Sequence, residues 1–310
     1  MTGVVNSGSF AKALWPGVNT WYGEAYNQYP VEWDKLFEKN TSRRAFEEDV
    51  GTSFFGLAVQ KAEGAPISYD SAKQGWTSRY SHVVYGLGFM ITREMYDDDL
   101  YDVIGKKKAQ ALAFSMRQTK EIIAANIFNR AFNTSYTGGD AATLVASAGG
   151  GGSTSHPNIA GGTYTNGVAT AVDLSEAALE QACIDIAGFT NDRGLKIAVR
   201  PRKLVIPKEQ MFEAARILKT EGQVYSADNT LNALKNMGMI PEVVVNHYLT
   251  DTDAWFILTD VRDGLKYFER NGDEFGMDED FDTENAKYKA RSRYSFGWTD
   301  PRGIYGSPGA

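Results

Sequence analysis

The sequence predicts an α+β fold, and three observations carry that expectation. Residues 93–133 hold one long helical periodicity. Residues 83–91 alternate in the manner of a strand, with Val83, Tyr85, Leu87, Phe89 and Ile91 on one side. Residues 173–260 then switch between helix-like and strand-like segments, a second and mixed module.

Residues 1–50 show no long periodic element. Their aromatics (Trp15, Trp21, Tyr22, Tyr26, Tyr29, Trp33, Phe37) are spread along a stretch containing Pro16 and Pro30, which reads as an extended arm packing onto its own chain or a neighbour. From Thr52 the pattern alternates, with Phe55, Leu57 and Val59 on one side as a first strand and 83–91 as the second. The intervening KAEGAPISYDSAKQGWTSRYS is polar and poor in aliphatics, so residues 51–92 read as a long hairpin projecting from the body.

In 93–133, Leu100, Ile104, Leu112, Met116, Thr119, Ile123, Ile127 and Ala131 recur at helical spacings, with good helix formers between them. About forty residues at 1.5 Å each make a spine of roughly 60 Å, with Thr92 as N-cap and Gly105 a place to bend. Residues 135–172 are rich in Gly, Ser, Thr and Asn and read as a flexible connector. Beyond it, Asp173 and Ser175 precede a helix, and KIAVRPRKLVIP reads as a strand interrupted by Pro201. KEQMFEAARILKT is helical, NTLNALKNMG is a short helix, and PEVVVNHYLTDTDAWFILTD gives two strands. The tail ends in AKYKARSRYSFGWTD, whose charged-aromatic alternation marks a long strand with one face solvated or turned to another subunit.

Composition narrows the function. With 310 residues, 43% of them hydrophobic, the chain can bury a sizeable core. A net charge of -7 argues against a surface devoted to gripping nucleic acid. The single cysteine, Cys183, excludes a disulfide framework and a Cys-rich zinc site, and its place in a helix reads as a buried apolar residue. No apolar run approaches the roughly 20 residues of a membrane span, and no signal-peptide block follows Lys12, so the expectation is a soluble protein made in a cytoplasm.

Catalytic and metal chemistry find little support. His82, His156 and His247 have no ligand spacing, and a hydrolase using a histidine and carboxylates would have to gather them from a hairpin, a Gly-rich loop and a strand end. Gly149–Gly152 lacks a phosphate-cradle pattern, and neither Asp251 with Asp253 nor Asp278–Asp282 matches a calcium loop. In DDDLYDVIGKKK, Asp97, Asp98 and Asp99 fall in the first turns of the long helix, where carboxylates are favoured. Consecutive helical residues point about 100° apart, so the three cannot converge on one ion, although Asp98 and Asp102 can pair. No catalytic residue, metal ligand or cofactor site is therefore expected.

The order of parts, together with FMITREMYDDDLY, KEIIAANIFNRAF, SHPNIAGGTYTN, RPRKLVIPKEQMFEAARIL and YKARSRYSFGWTDPRGIYGS, resembles the major capsid proteins of tailed bacteriophages, in the Johnson fold that encapsulins share. The resemblance covers nearly the whole chain. It implies an N-terminal arm (1–50), an extended hairpin loop (51–92), and a peripheral domain with a spine helix (93–134 and 262–300). A connector (135–172) and an axial domain (173–261 and 301–310) complete it. It further implies hexamers and pentamers closing into an icosahedral head around double-stranded DNA held without sequence-specific contacts, in a virion assembled in the host bacterial cytoplasm. A portal and a separate scaffolding protein are the implied partners, since the hairpin begins too early for a fused scaffolding segment and Met1 stands at the start. A decoration protein is a candidate further partner. An encapsulin-like compartment is the alternative within the fold. Subunit contacts are expected at Lys61, Lys73, Trp76, Arg79, Asp97, Asp98, Asp99, Lys106, Lys107 and Lys108.

Overall fold

A computed structural model describes residues 11–28, 30–92, 94–95, 105–222, 231–279 and 285–310. Two four-stranded sheets organise it. The first has the order β1 (Glu38–Thr41), β10 (Leu265–Glu279), β11 (Ala286–Trp298), β4 (Val83–Ile91), with β1 parallel to β10 and the remaining pairs antiparallel. In β11, Tyr288, Ala290, Ser292 and Tyr294 are buried while Lys287, Lys289 and Arg291 on the opposite face are exposed, so the alternation read from the sequence is realised. The buried face packs on helix α2 (Lys106–Asn129) through Ala109, Leu112, Ala113 and Met116.

The second sheet runs β12 (Ile304–Ser307), β9 (Trp255–Thr259), β7 (Pro201–Pro207), β8 (Glu242–Asn246). It packs against α3 (Glu176–Ala187) and α4 (Met211–Lys219), burying Leu179, Ile186, Leu204, Ile206, Ile217, Trp255 and Ile257 in one cluster. Ser175 caps α3 by accepting from Ala178 N, as its sequence position predicts. Pro201 opens β7, a place where its missing N–H costs nothing. The short helix α5 (Ala233–Met237) ends at Gly238 in the left-handed region, φ 59°.

Four expectations need correction. The arm is not extended throughout: α1 (Ala11–Gln28) is helical, because Tyr22, Ala25 and Tyr26, three and four residues apart, share a face that meets Leu112, Ala113 and Met116 of α2. Val31, Trp33, Leu36 and Phe37 then enter the core beside Phe128 and Tyr267, so this part of the arm packs on its own chain.

The hairpin strands are β2 (Phe46–Thr52) and β3 (Gln74–Ser81), paired Phe46 with Ser81 through Thr52 with Gln74. Phe55–Val59 lies outside any strand, and β4 pairs with β11 instead. The alternation there has no strand to pair with, and its apolar side chains are exposed.

The Gly-rich segment is packed, not loose. Leu144, Val145, Ala146, His156 and Asn166 are fully or almost fully buried, and a Cβ on Gly152 would stand 2.4 Å from the carbonyl oxygen of Phe132. Small residues here permit close backbone approach instead of conferring freedom. It contains the two-stranded β5 (His156–Pro157) and β6 (Thr163–Tyr164).

The spine helix ends at Asn129, followed by turns bonded from Arg130 and Asn133 N–H groups. Thr92 accepts a hydrogen bond from Met95 N at 3.4 Å, consistent with its cap role. Residues 96–104, which hold Asp97, Asp98, Asp99 and Asp102, lie outside the described residues, as do Asp280–Asp282.

Candidate assembly surface

The loop joining β2 to β3, residues 53–73, exposes a concentration of large apolar side chains. Phe54, Phe55, Leu57, Val59, Ile67 and Tyr69 are 55–93% exposed, far more apolar area than a lone soluble subunit leaves open on one loop. Burial contributes roughly 1.5–3 kcal/mol per fully covered side chain of this size, so a partner that covers the loop gains substantially.

The base of this loop is fixed. Ser53 N donates to Lys73 O at 2.9 Å and Lys73 N donates to Ser53 Oγ at 2.8 Å. Phe54 N donates to Asp192 Oδ1 at 3.0 Å, while Arg193 donates to Phe54 O at 3.1 Å and to Ser71 O at 2.9 Å. Within the loop, Asp70 Oδ2 accepts from Gly56 N at 2.8 Å and its Oδ1 from Ser71 N at 2.8 Å. These two amides hold the carboxyl below the usual aspartate range, with Arg193 adding a smaller pull.

The strands below the loop are locked onto the first sheet. Lys266 Nζ is 2.6 Å from both Asp49 Oδ2 and Asp263 Oδ1. Thr299 Oγ1 donates to the same Asp49 oxygen at 2.8 Å and lies 2.6 Å from Tyr80 Oη. Burial alone lowers the Lys266 pKa, but the bonds and charges of Asp263 and Asp49 outweigh it and raise the group. His82 sits between Ser295 Oγ and Ser42 Oγ, 3.0 Å from each. Between this hairpin base and the second sheet runs a cleft of about 520 Å³ lined by Trp76, Ile159, Asp192, Asp260 and Arg302 among others.

Of the anticipated contact residues, Lys61 and Lys73 are exposed on the loop and Lys106, Lys107 and Lys108 on the first turn of α2. Trp76 is half-buried in the cleft wall. Arg79 is exposed but has partners within its own hairpin, lying 3.8 Å from the Phe46 ring centroid and 3.8 Å from Glu48. The loop lysines and the α2 lysines stand on different elements.

The histidines serve structure. His156, fully buried, places Nδ1 2.6 Å from Asp140 Oδ2 and Nε2 3.1 Å from Asn166 Oδ1. Asn166 in turn donates to the carbonyls of Leu144, Pro301 and Ile304 and accepts from Ala146 N. That set ties the Gly-rich segment to the C-terminal turn; no sequence spacing signals it. His247 pairs instead with Glu32, so the three histidines have separate partners. Burial pushes the Cys183 thiol up to about 11, which leaves it unreactive at neutral pH. Among the described residues no group of three His, Cys, Asp or Glu is placed to hold a metal, and no helix is long and apolar enough to cross a membrane.

Among the described residues, His82 and His156 are held in buried hydrogen bonds, Cys183 is buried, and a tethered loop exposes six large apolar side chains, the pattern of a structural subunit completed by its neighbours. The family model described as Phage capsid protein matches residues 76–307, and the chain belongs to that family. It is a structural, non-enzymatic protein of the virion that self-assembles into a capsid shell. Among solved structures, a chain of a virus-like particle from Pyrococcus furiosus superposes with a TM-score of 0.54 at 10% identity, covering 94% of this chain and 97% of that one. A chain of Mycobacterium phage Patience gives 0.52 at 9% identity over 99% and 89% of the two chains. One of Microbacterium phage Oxtober96 gives 0.51 at 9% over 90% and 92%. At these identities the likeness is one of fold. No curated protein sequence matches the chain.

Proposed function

We propose that the chain is the major capsid subunit of a tailed phage, forming hexamers and pentamers that close into an icosahedral head around double-stranded DNA. Assembly takes place in the host bacterial cytoplasm, with a separate scaffolding protein and a portal as partners and a decoration protein as a candidate addition. The exposed 53–73 loop with its fixed base supports this reading most strongly: a rigid root and an apolar tip suit a contact made at a distance on another subunit.

In this reading residues 1–37 are the arm, β2 and β3 with the 53–73 loop the extended loop, the first sheet with α2 the peripheral domain, 135–172 a packed connector, and the second sheet with α3 and α4 the axial domain. Lys61, Lys73, Trp76, Arg79, Asp97, Asp98, Asp99 and Lys106–Lys108 are proposed subunit contacts, for which a salt-sensitive assembly is expected. Electron microscopy of the chain expressed with and without the neighbouring structural proteins of its source tests the proposal. Closed shells with five-fold and six-fold capsomers support it, and cargo-filled shells without DNA or portal favour the encapsulin-like alternative.

A further inference from the structure

The outer face of the first sheet carries a second surface, independent of the loop. β4 is an edge strand, with no strand on its far side among the described residues. Its nine residues, VVYGLGFMI, contain no charge and no proline, the devices by which natural edges resist pairing. Val83, Val84, Leu87 and Met90 are 47–63% exposed along it. Such an edge is a ready template for pairing with a further strand.

The neighbouring strand indicates what that further strand is. Opposite β4, β11 places Lys289 across from Gly88 and Arg291 across from Gly86, with Arg293 and Lys287 across from Val84 and Met90. Lys289 and Arg291 are exposed and have no ion pair within the described residues. Lys287 and Arg293 already have contacts of their own. Because glycines occupy the two positions beside the free cations, no side chain stands between them and the edge. Lys289 now rests over Gly276 on the other flank, with Cε 3.5 Å from where a Cβ there would stand, and rotation about its flexible stem swings the ammonium across Gly88.

A strand added to β4 would set its outward side chains about 10 Å from β11, two inter-strand spacings away, and about 7 Å apart along the strand. Lys289 and Arg291 are two residues apart and share that repeat. We propose that the free edge of β4 receives, by strand addition, an extended acidic segment of another protein whose carboxylates at alternating positions meet Lys289 and Arg291. Backbone bonds along β4 provide affinity, and the two cations select an acidic sequence. On β10, Glu274 stands opposite Arg291, Gly276 opposite Lys289 and Asp278 opposite Lys287, so the face is cationic only on its β4 side, which suits a single strand laid along that edge. The proposal rests on the sheet alone and stands whether or not the 53–73 loop bridges subunits.

The probe is a nine-residue peptide alternating glutamate and valine, labelled for fluorescence anisotropy and titrated with the full chain in its unassembled form. Binding is expected, weakened at least about tenfold when Lys289→Glu and Arg291→Glu are combined, charge reversals at exposed positions that leave the melting temperature unchanged. It is also expected to vanish for the same peptide N-methylated at alternate residues, which keeps the charge and removes the backbone donors. Equal binding of the N-methylated peptide would reduce the site to ion exchange and overturn the proposal. So would tighter binding of an oligothymidylate of equal length, or a self-association, abolished by the same double variant, that blocks the peptide.

Discussion

Lys120 Nζ lies 3.5 Å from Asp273 Oδ2, with side-chain exposures of 6% and 17%, and stands 5.1–5.6 Å from the ring centroids of Trp33, Tyr267 and Tyr294. One cation thus joins the spine helix, the arm and the long strand β10. Lys120→Ala is expected to cost about 3 kcal/mol, chiefly because Asp273 loses its counter-charge in a partly buried site. The pair Lys120→Met with Asp273→Asn should recover most of it in urea unfolding. Equal losses for the single and double variants would show that an uncompensated Asp273 charge is not the source of the loss.

Asn166 is the second internal fastener. Asn166→Ala strips partners from three carbonyls, the Ala146 N–H and the His156 ring at once, and a loss of roughly 3 kcal/mol or more is expected. Replacing all three histidines with Gln should therefore destabilise the chain through His156 in particular. A triple variant with unchanged melting would contradict the part assigned to that network.

Replacing residues 57–69 with a short Gly-Ser bridge should leave the melting temperature within a few degrees of the parent and abolish closed shells, as read by circular dichroism and electron microscopy. The cut must stop before Gln74, since β3 buries Ser78 and Tyr80. Shells of normal appearance would remove the loop from the assembly account.

Acid should loosen the loop before it unfolds the body. The Asp70 carboxyl has a folded value below its ordinary one of about 3.9, because Gly56 and Ser71 amides bond its charged form. The stabilisation is therefore present above about pH 3.9 and is lost as the pH falls through the lower folded value. The protection factor of the Gly56 amide, its exchange rate relative to the free-peptide rate at the same pH, should fall in that range and not in Asp70→Asn, where protection is already weak. An identical acid profile for both chains would place the staple elsewhere.

Much of the architecture was legible because it rests on local signals. The helical repeat of Leu112, Met116 and their successors, the Ser175 cap, and the alternation of β11 each follow from local sequence signals. The failures share a physical cause. Helix α1 was hidden because Pro16 and Gly17 suppress its propensity and only packing on α2 reveals its face. β2 and β3 are too polar to announce themselves, whereas Phe55–Val59 shows strand-like alternation without a strand to pair with. The Gly-rich segment looked mobile because composition cannot distinguish a small residue that frees the backbone from one that lets two backbones touch. The histidine network joins positions far apart in the chain and left no spacing to read.

The mass and symmetry of the purified assembly, measured by cryo-electron microscopy with mass photometry, test the central claim most directly. A closed megadalton shell with icosahedral symmetry, in which each 53–73 loop lies on an adjoining subunit, is the predicted result. A stable monomer or small oligomer under every assembly condition, with that loop folded back on its own chain, would contradict it.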